Sequence, residues 1–64
     1  MSQNALTVLL NILNAALEEL NKAGYHVFDV ENPEYYITTV EYRSKKDKLY
    51  FNVKELDKHV KGNG

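Results

Sequence analysis

A helix-forming stretch near the start of the chain is the feature that most restricts the fold. Residues 5–23 contain no proline or glycine, and either Ser2 or Asn4 can cap the first turn. Gly24 then supplies the left-handed position at which helices commonly end. Leucines recur at three- and four-residue spacing, namely Leu6, Leu9, Leu10, Leu13, Leu17 and Leu20. The pattern predicts one continuous amphipathic α-helix.

The apolar side of this helix is wider than one small sheet requires. On a helical wheel it covers roughly twice the ~100° stripe that is enough to pack a helix on a sheet. We expect the surplus to contact a second copy of the chain, because small domains gain most from a dimer. The residues predicted to carry this self-association are Val8, Ile12, Ala15 and Ala16. The alternative is that Leu56 and Val60, near the end of the chain, cover the same residues.

Three strand-like segments follow, at residues 25–30, 35–42 and 49–53, all rich in aromatic and β-branched side chains. Polar turns at 31–34, with Pro33, and at 44–47 separate them, so neighbouring strands are expected to be antiparallel. Residues 55–61 predict two further helical turns, with Leu56 and Val60 on one side. The predicted fold is a single α+β domain over residues 1–64, in which an N-terminal amphipathic helix packs on a three-stranded antiparallel β-meander before a short C-terminal helix.

An even number of residues in the loop of the second hairpin predicts which side chains share a face of the sheet. A loop of two, four or six residues places Thr38, Val40 and Tyr42 beside Leu49, Phe51 and Val53, and this more apolar face is expected to lie under the helix. The other face is unusually aromatic for a surface that meets only water. Aromatic patches suit interface cores, so this face is predicted to bind a protein partner. Its binding residues are expected to be Tyr25, Tyr35, Ile37 and Tyr50.

The charges separate along the chain although the net charge is only −1. Residues 1–42 carry one basic side chain against six acidic ones, whereas residues 43–64 carry seven basic against three acidic. Four of the basic residues cluster at the tip of the second hairpin, namely Arg43, Lys45, Lys46 and Lys48. With Tyr42 and Tyr50 at its base, this tip predicts nucleic-acid contact as an alternative function. Lysines at a hairpin tip also protect against aggregation, without any ligand.

The sequence holds no motif for catalysis, a metal or a cofactor. There is no cysteine, the serines are Ser2 and Ser44, and His26 and His59 have no ligand spacing between them. No stretch approaches the roughly 20 apolar residues of a membrane span, so no membrane partner is expected. The absence of cysteine fits a cytoplasmic protein. We therefore expect a small non-enzymatic interaction module without cofactors, which forms a homodimer through its helix and binds a protein partner.

Overall fold

In a computed structural model, which describes residues 3–56, a single helix precedes a three-stranded sheet. The elements are α1 (Gln3–Lys22), β1 (Phe28–Asp29), β2 (Asn32–Arg43) and β3 (Lys48–Glu55). Strand β2 lies in the middle and pairs antiparallel with both neighbours. The predicted order of one helix and an antiparallel meander is therefore confirmed.

The end of the sheet extends further than the sequence predicted. Glu55, the expected first residue of a C-terminal helix, instead pairs with Tyr35 as the last residue of β3. The Leu56 amide also donates to the Glu34 carbonyl at 2.7 Å, so the ladder continues one residue beyond β3. The expected helix start was wrong because β2 already begins at Asn32. The first residues of β2 are therefore available as ladder partners for Glu55 and Leu56. The remainder of that predicted helix, residues 57–61, lies outside the described residues.

The end of α1 is closed by Gly24 in the predicted way. Gly24 has φ +85°, and this left-handed conformation costs glycine little because glycine has no side chain. The Tyr25 amide donates to the Leu20 carbonyl at 2.9 Å, and the Gly24 amide to the Asn21 carbonyl at 3.1 Å. These two bonds form a Schellman motif, which satisfies carbonyls that the last helical turn leaves free.

The first hairpin turns earlier than predicted, which leaves β1 only two residues long. Its turn is Val30 and Glu31, and the Asp29 side chain holds this turn through bonds to Glu31 and Asn32. Asp29 Oδ1 accepts from the Glu31 amide at 3.0 Å, and Oδ2 accepts from the Asn32 side chain at 3.1 Å. The predicted turn over 31–34 was wrong because this Asp-centred turn needs no proline. Pro33 lies instead near the start of β2, where a strand tolerates proline.

A β-bulge interrupts the β2–β3 ladder. Val40 pairs with Phe51 and Tyr42 with Leu49 as predicted, but Val53 pairs with Ile37 instead of Thr38. Thr38 is therefore an extra residue between two regular stretches of ladder. Side-chain bonds hold the bulge, because Thr38 Oγ1 donates to the Asn52 carbonyl at 3.2 Å and Asn52 Nδ2 donates to Thr39 Oγ1 at 3.0 Å.

Helix α1 lies along the edge of β2 that the short β1 leaves open. Asn14 Oδ1 accepts from the Val40 amide at 2.7 Å, and Asn14 Nδ2 donates to the Val40 carbonyl at 2.9 Å. Two turns later, Asn21 Nδ2 donates to the Ile37 carbonyl at 3.3 Å. The helix therefore runs antiparallel to β2 and approaches this strand alone among the three described. Its expected place over the apolar face of the sheet was wrong.

Candidate interaction surface

One face of the β2–β3 ladder is almost entirely apolar. Residues directly opposite each other in a sheet share a face, and alternate residues along a strand return to it. The pairs of Ile37 with Val53, Val40 with Phe51 and Tyr42 with Leu49 therefore lie on one side. We call this side the apolar sheet face, and it consists of Tyr35, Ile37, Val40, Tyr42, Leu49, Phe51 and Val53, with Glu55 opposite Tyr35 at its end.

The apolar side of α1 borders the same face. The helix directs Asn14 and Asn21 at β2, and its polar flank, with Asn11 and Glu18, lines a cleft beside Tyr36 on the opposite face of the sheet. The other flank, on the far side of the two asparagines, must then adjoin the apolar sheet face. This flank and the outward helix surface form the apolar helix arc, which consists of Leu6, Val8, Leu9, Leu10, Ile12, Leu13, Ala16, Leu17 and Leu20.

These apolar residues are largely uncovered within the described chain. Leu17, at 6% exposure, is the one buried hydrophobic residue found there. Phe51 on the apolar sheet face is 59% exposed, and Leu49 and Val53 beside it are also exposed. This contiguous exposed apolar area, which joins a helix and a sheet, is the candidate surface for contact with another molecule.

The residues predicted to mediate self-association all lie at the surface. Val8 is 55% exposed and Ile12 61% exposed, and Ala15 and Ala16 are exposed as well. Ala15 also borders the polar cleft, whereas the other three lie in the apolar helix arc. The structure thus places them where a second chain can reach them, and their role stays a prediction.

Leu56 does not cover this part of the helix. The Leu56 amide bonds to Glu34 in β2, whereas Asn14 of the helix bonds to Val40, further along the same strand. Val40 lies six positions along β2 from Glu34, which is about 20 Å. Val8 lies further away again, beyond Asn14. The alternative in which Leu56 covers Val8 and Ile12 was therefore wrong for Leu56, and Val60 lies outside the described residues.

The bulge divides the four residues predicted to bind a protein partner. Tyr35 and Ile37 lie on the apolar sheet face, because Thr38 shifts the register ahead of Val40. Tyr50 pairs with Glu41 and lies on the opposite face. Tyr25, 74% exposed, belongs to the loop after α1 and to no strand. The expectation that the four share one face was wrong, since parity alone does not reveal a bulge.

The opposite face of the ladder is polar and partly basic. This polar sheet face consists of Tyr36, Thr39, Glu41, Arg43, Lys48, Tyr50, Asn52 and Lys54. Arg43 Nε lies 2.6 Å from Glu41 Oε2, and its guanidinium carbon lies 5.1 Å from the centre of the Tyr50 ring. Lys45 and Lys46 are exposed in the turn beside it. The basic hairpin tip is thus real, but Glu41 pairs with the charge of Arg43.

A polar cleft of about 660 Å³ lies between α1 and β2, beside His26. His26 Nδ1 lies 2.6 Å from Asn21 Oδ1, and its ring centre lies 4.1 Å from that of Tyr36. Because Asn21 Nδ2 already donates to Ile37, its Oδ1 must accept, and His26 Nδ1 therefore carries the proton. These contacts fasten the loop after α1 to the sheet, which gives the cleft a structural role.

Asn14 and Asn21 are important residues that the sequence analysis did not single out, because it expected the apolar side of the helix to contact the sheet. Asparagine is a weak helix former, and two of them seven residues apart share one face. That combination was the available signal that this face meets backbone groups instead of water.

Other kinds of site find no support in the described residues. Across residues 3–56, no group of three His, Asp or Glu side chains is arranged to hold a metal ion. In the same range, no helix combines the length and the apolar character needed to cross a bilayer. No protein-family model, curated protein or solved structure matches the chain.

Proposed function

We propose that this chain is a non-enzymatic interaction module that self-associates by burying its apolar helix arc and apolar sheet face against a second copy. The observation that carries the proposal is the near absence of a core, since Leu17 is the one hydrophobic residue buried within the described part of the chain. A small domain with so little burial has too little hydrophobic stabilisation to remain folded alone.

The chemistry of the surface favours another protein chain as its occupant. Each exposed Leu, Ile, Val or Phe side chain that becomes fully buried contributes about 1.5–3 kcal/mol. Residues of this kind from the helix and the sheet form one surface, which is bordered by polar residues of the cleft. Alanines at 15 and 16 leave room for a second backbone to approach the helix. The lack of cysteine agrees with a cytoplasmic setting for this module.

Sedimentation of the purified chain and of two helix variants tests the proposal. Ile12→Glu places a charge in the apolar helix arc at a position that is exposed in the single chain, so it removes little packing within one chain. We expect it to weaken association at least about tenfold, because a buried isoleucine is lost and a charge must be desolvated. Asn11→Glu, on the polar flank of the same helical turn, is the matched control and should associate as the parent does. A parent chain that stays at 7.4 kDa at millimolar concentration would refute the proposal.

Nucleic-acid binding through the basic hairpin tip is a second candidate. It is favoured by the placement of Lys48, Lys54 and Tyr50 together on the polar sheet face, with Lys45 and Lys46 in the adjoining turn. Such a surface would bind single strands by charge and stacking, with a strong salt dependence. Lys45→Glu with Lys46→Glu should then abolish binding of a labelled oligonucleotide at low salt. No binding by the parent under those conditions would exclude this candidate.

A further inference from the structure

The outer edge of β3 is a long run of sheet backbone without a neighbouring strand in the described chain. The sheet order is β1-β2-β3, so β3 has β2 on one side and no described strand on the other. All eight residues of Lys48–Glu55 are exposed. An open edge of this length offers its amides and carbonyls to another extended chain.

The contacts of β2 identify which groups of β3 point outward. The backbone of Ile37 bonds to Val27 and Asn21, and that of Val40 bonds to Asn14, so both residues face away from β3. Their partners across the ladder, Val53 and Phe51, therefore form non-hydrogen-bonded pairs with β2 and direct their own backbone groups outward. By alternation, the outward amides and carbonyls belong to Leu49, Phe51, Val53 and Glu55.

This edge lacks the features that normally prevent strand addition. Strand β3 has no proline, and its sequence is regular because the extra residue of the bulge belongs to β2. Three of the four outward residues, Leu49, Phe51 and Val53, carry apolar side chains. The two lysines of the strand, Lys48 and Lys54, lie on the polar sheet face. Glu55, the last residue of the strand, is the one charged side chain of β3 on the apolar side, so strand addition brings a charge to that side only at the end of the strand.

We propose that the β3 edges of two copies pair antiparallel about a two-fold axis, which joins the two sheets into one of six strands. The inference rests on the proposed self-association and adds to it a second interface. Pairing of identical edges leaves the two apolar sheet faces on the same side, so the apolar surface doubles in area. Two such dimers can then cover each other in a closed tetramer, a common symmetry for soluble oligomers.

The charges on the polar sheet face select the register. Side chains that lie opposite each other must be on the same face of the joined sheet. Two registers meet this condition and pair seven residues of each β3 strand. In the first, Phe51 lies opposite its own copy and Lys48 lies opposite Lys54, which repel each other. In the second, Asn52 lies opposite its own copy, Phe51 opposite Val53, and Tyr50 opposite Lys54. We assign the second register, because it replaces repulsion between lysines by a cation–π contact and an amide pair.

Amide hydrogen exchange of the parent chain, read residue by residue by NMR, tests the proposal directly. In a single chain, the amides of Leu49, Phe51 and Val53 face solvent, whereas those of Tyr50 and Asn52 face β2. We expect the first set to gain at least about tenfold protection as the concentration rises to millimolar, because edge pairing buries them in a ladder. Rapid exchange of this set at the highest concentration would overturn the inference.

Two edge variants complete the test. Asn52→Lys sets two lysines face to face at the two-fold axis and should weaken edge pairing about fivefold, whereas Asn11→Lys carries the same charge change on the helix and should not. A synthetic chain with an N-methyl group on Phe51 loses two edge hydrogen bonds and should pair at least about 30-fold more weakly. The methyl group leaves the β2–β3 ladder intact, so circular dichroism of this chain should match the parent. Unchanged protection of the Val53 amide in the N-methyl chain would contradict edge pairing.

The two proposals can fail separately. If Ile12→Glu reduces the mass while the Leu49, Phe51 and Val53 amides stay unprotected in the parent, the edge inference fails and the self-association through the helix stands. If those amides are protected and Ile12→Glu leaves the mass unchanged, the edges pair and the proposed helix interface is wrong.

Discussion

Asn14 pairs with the backbone of Val40 as a neighbouring strand would. Its side-chain amide accepts from the Val40 N–H at 2.7 Å and donates to the Val40 carbonyl at 2.9 Å. The short β1 leaves these backbone groups without a strand partner, and a buried unpaired group would cost free energy. One helical side chain thus completes the sheet edge and fixes the helix beside it.

Replacement of this asparagine should therefore destabilise the fold. For Asn14→Ala, we expect the free energy of unfolding to fall by about 1–3 kcal/mol, because two part-buried backbone groups lose their partner. Urea denaturation measures the difference. Asn11→Ala, one turn earlier and exposed, is the matched control and should change stability by less than about 0.5 kcal/mol. Equal effects of the two substitutions would show that the Val40 bonds contribute nothing.

The thermal stability of the chain should depend on its concentration. If a second copy supplies most of the buried apolar area, dilution favours the unfolded chain. A hundredfold increase in concentration should stabilise the folded dimer by about 2.7 kcal per mole of dimer, which raises Tm. Circular dichroism melts across that range measure the shift. A Tm that is independent of concentration would show that one chain is stable alone, despite the exposure of Phe51 and Ile12.

The sequence predicted the elements better than their contacts. The leucine spacing and Gly24 were sufficient for α1, since they reflect local preferences of the backbone. The placement of Tyr42 beside Leu49 followed from the even number of residues expected in the turn. The bulge at Thr38 could not be predicted, because it depends on bonds among Thr38, Thr39 and Asn52 that form only when the strands meet. Tyr35 and Ile37 were consequently assigned to the wrong face.

The first hairpin should be sensitive to acid through Asp29. The Glu31 amide and the Asn32 side chain donate to its carboxylate and hold the pKa of Asp29 below its ordinary value of 3.8. A lowered pKa means that Asp29 contributes stability above pH 3.8, and that this contribution is lost as the pH falls through the folded-state pKa. An NMR titration of the carboxyl carbon should show the low pKa.

Asn32→Ala provides the control for this titration. The pKa of Asp29 should rise towards 3.8 in this variant but stay below it, because the Glu31 amide still donates and is the larger cause. An Asp29 pKa at or above 3.8 in the parent chain would contradict the turn geometry.

The second hairpin should lose stability at high pH through Tyr42. Its hydroxyl donates to Asp47 Oδ1 at 2.6 Å, which raises the pKa of Tyr42 above its ordinary value of 10.0. The contribution of this bond is present below pH 10 and is lost as the pH rises through the folded-state pKa. In Asp47→Asn, the pKa of Tyr42 should fall towards 10.0, because the charge is gone while an acceptor remains.

Asn is the suitable replacement because Asp47 has φ +55°, a left-handed conformation that asparagine also tolerates. The chemical shifts of the labelled tyrosine rings follow the titration, and Tyr42→Phe identifies the resonance. An unchanged Tyr42 pKa in Asp47→Asn would show that the carboxylate is not its partner in solution.

The extra residue in β2 should be what lets both asparagines of α1 reach the sheet edge. Seven helical residues rise about 10.5 Å from Asn14 to Asn21. The three steps along β2 from Ile37 to Val40 span about 10 Å, which matches the rise of the helix between the two asparagines. In a regular strand, residues that face the same edge are two or four positions apart, about 7 or 13 Å, and neither fits. Because of the bulge at Thr38, two residues that are three positions apart, Ile37 and Val40, direct their backbone groups to the same edge.

Deletion of Thr38 should therefore restore a regular ladder and break one of the two asparagine contacts. The double substitution Asn14→Ala with Asn21→Ala should then cost at least about 1 kcal/mol less in the deleted chain than in the parent, as measured by urea denaturation. Thr38→Ala keeps the extra residue and should preserve the full cost of the double substitution. The same cost in the parent and the deleted chain would mean that the helix reaches Ile37 and Val40 without help from the bulge.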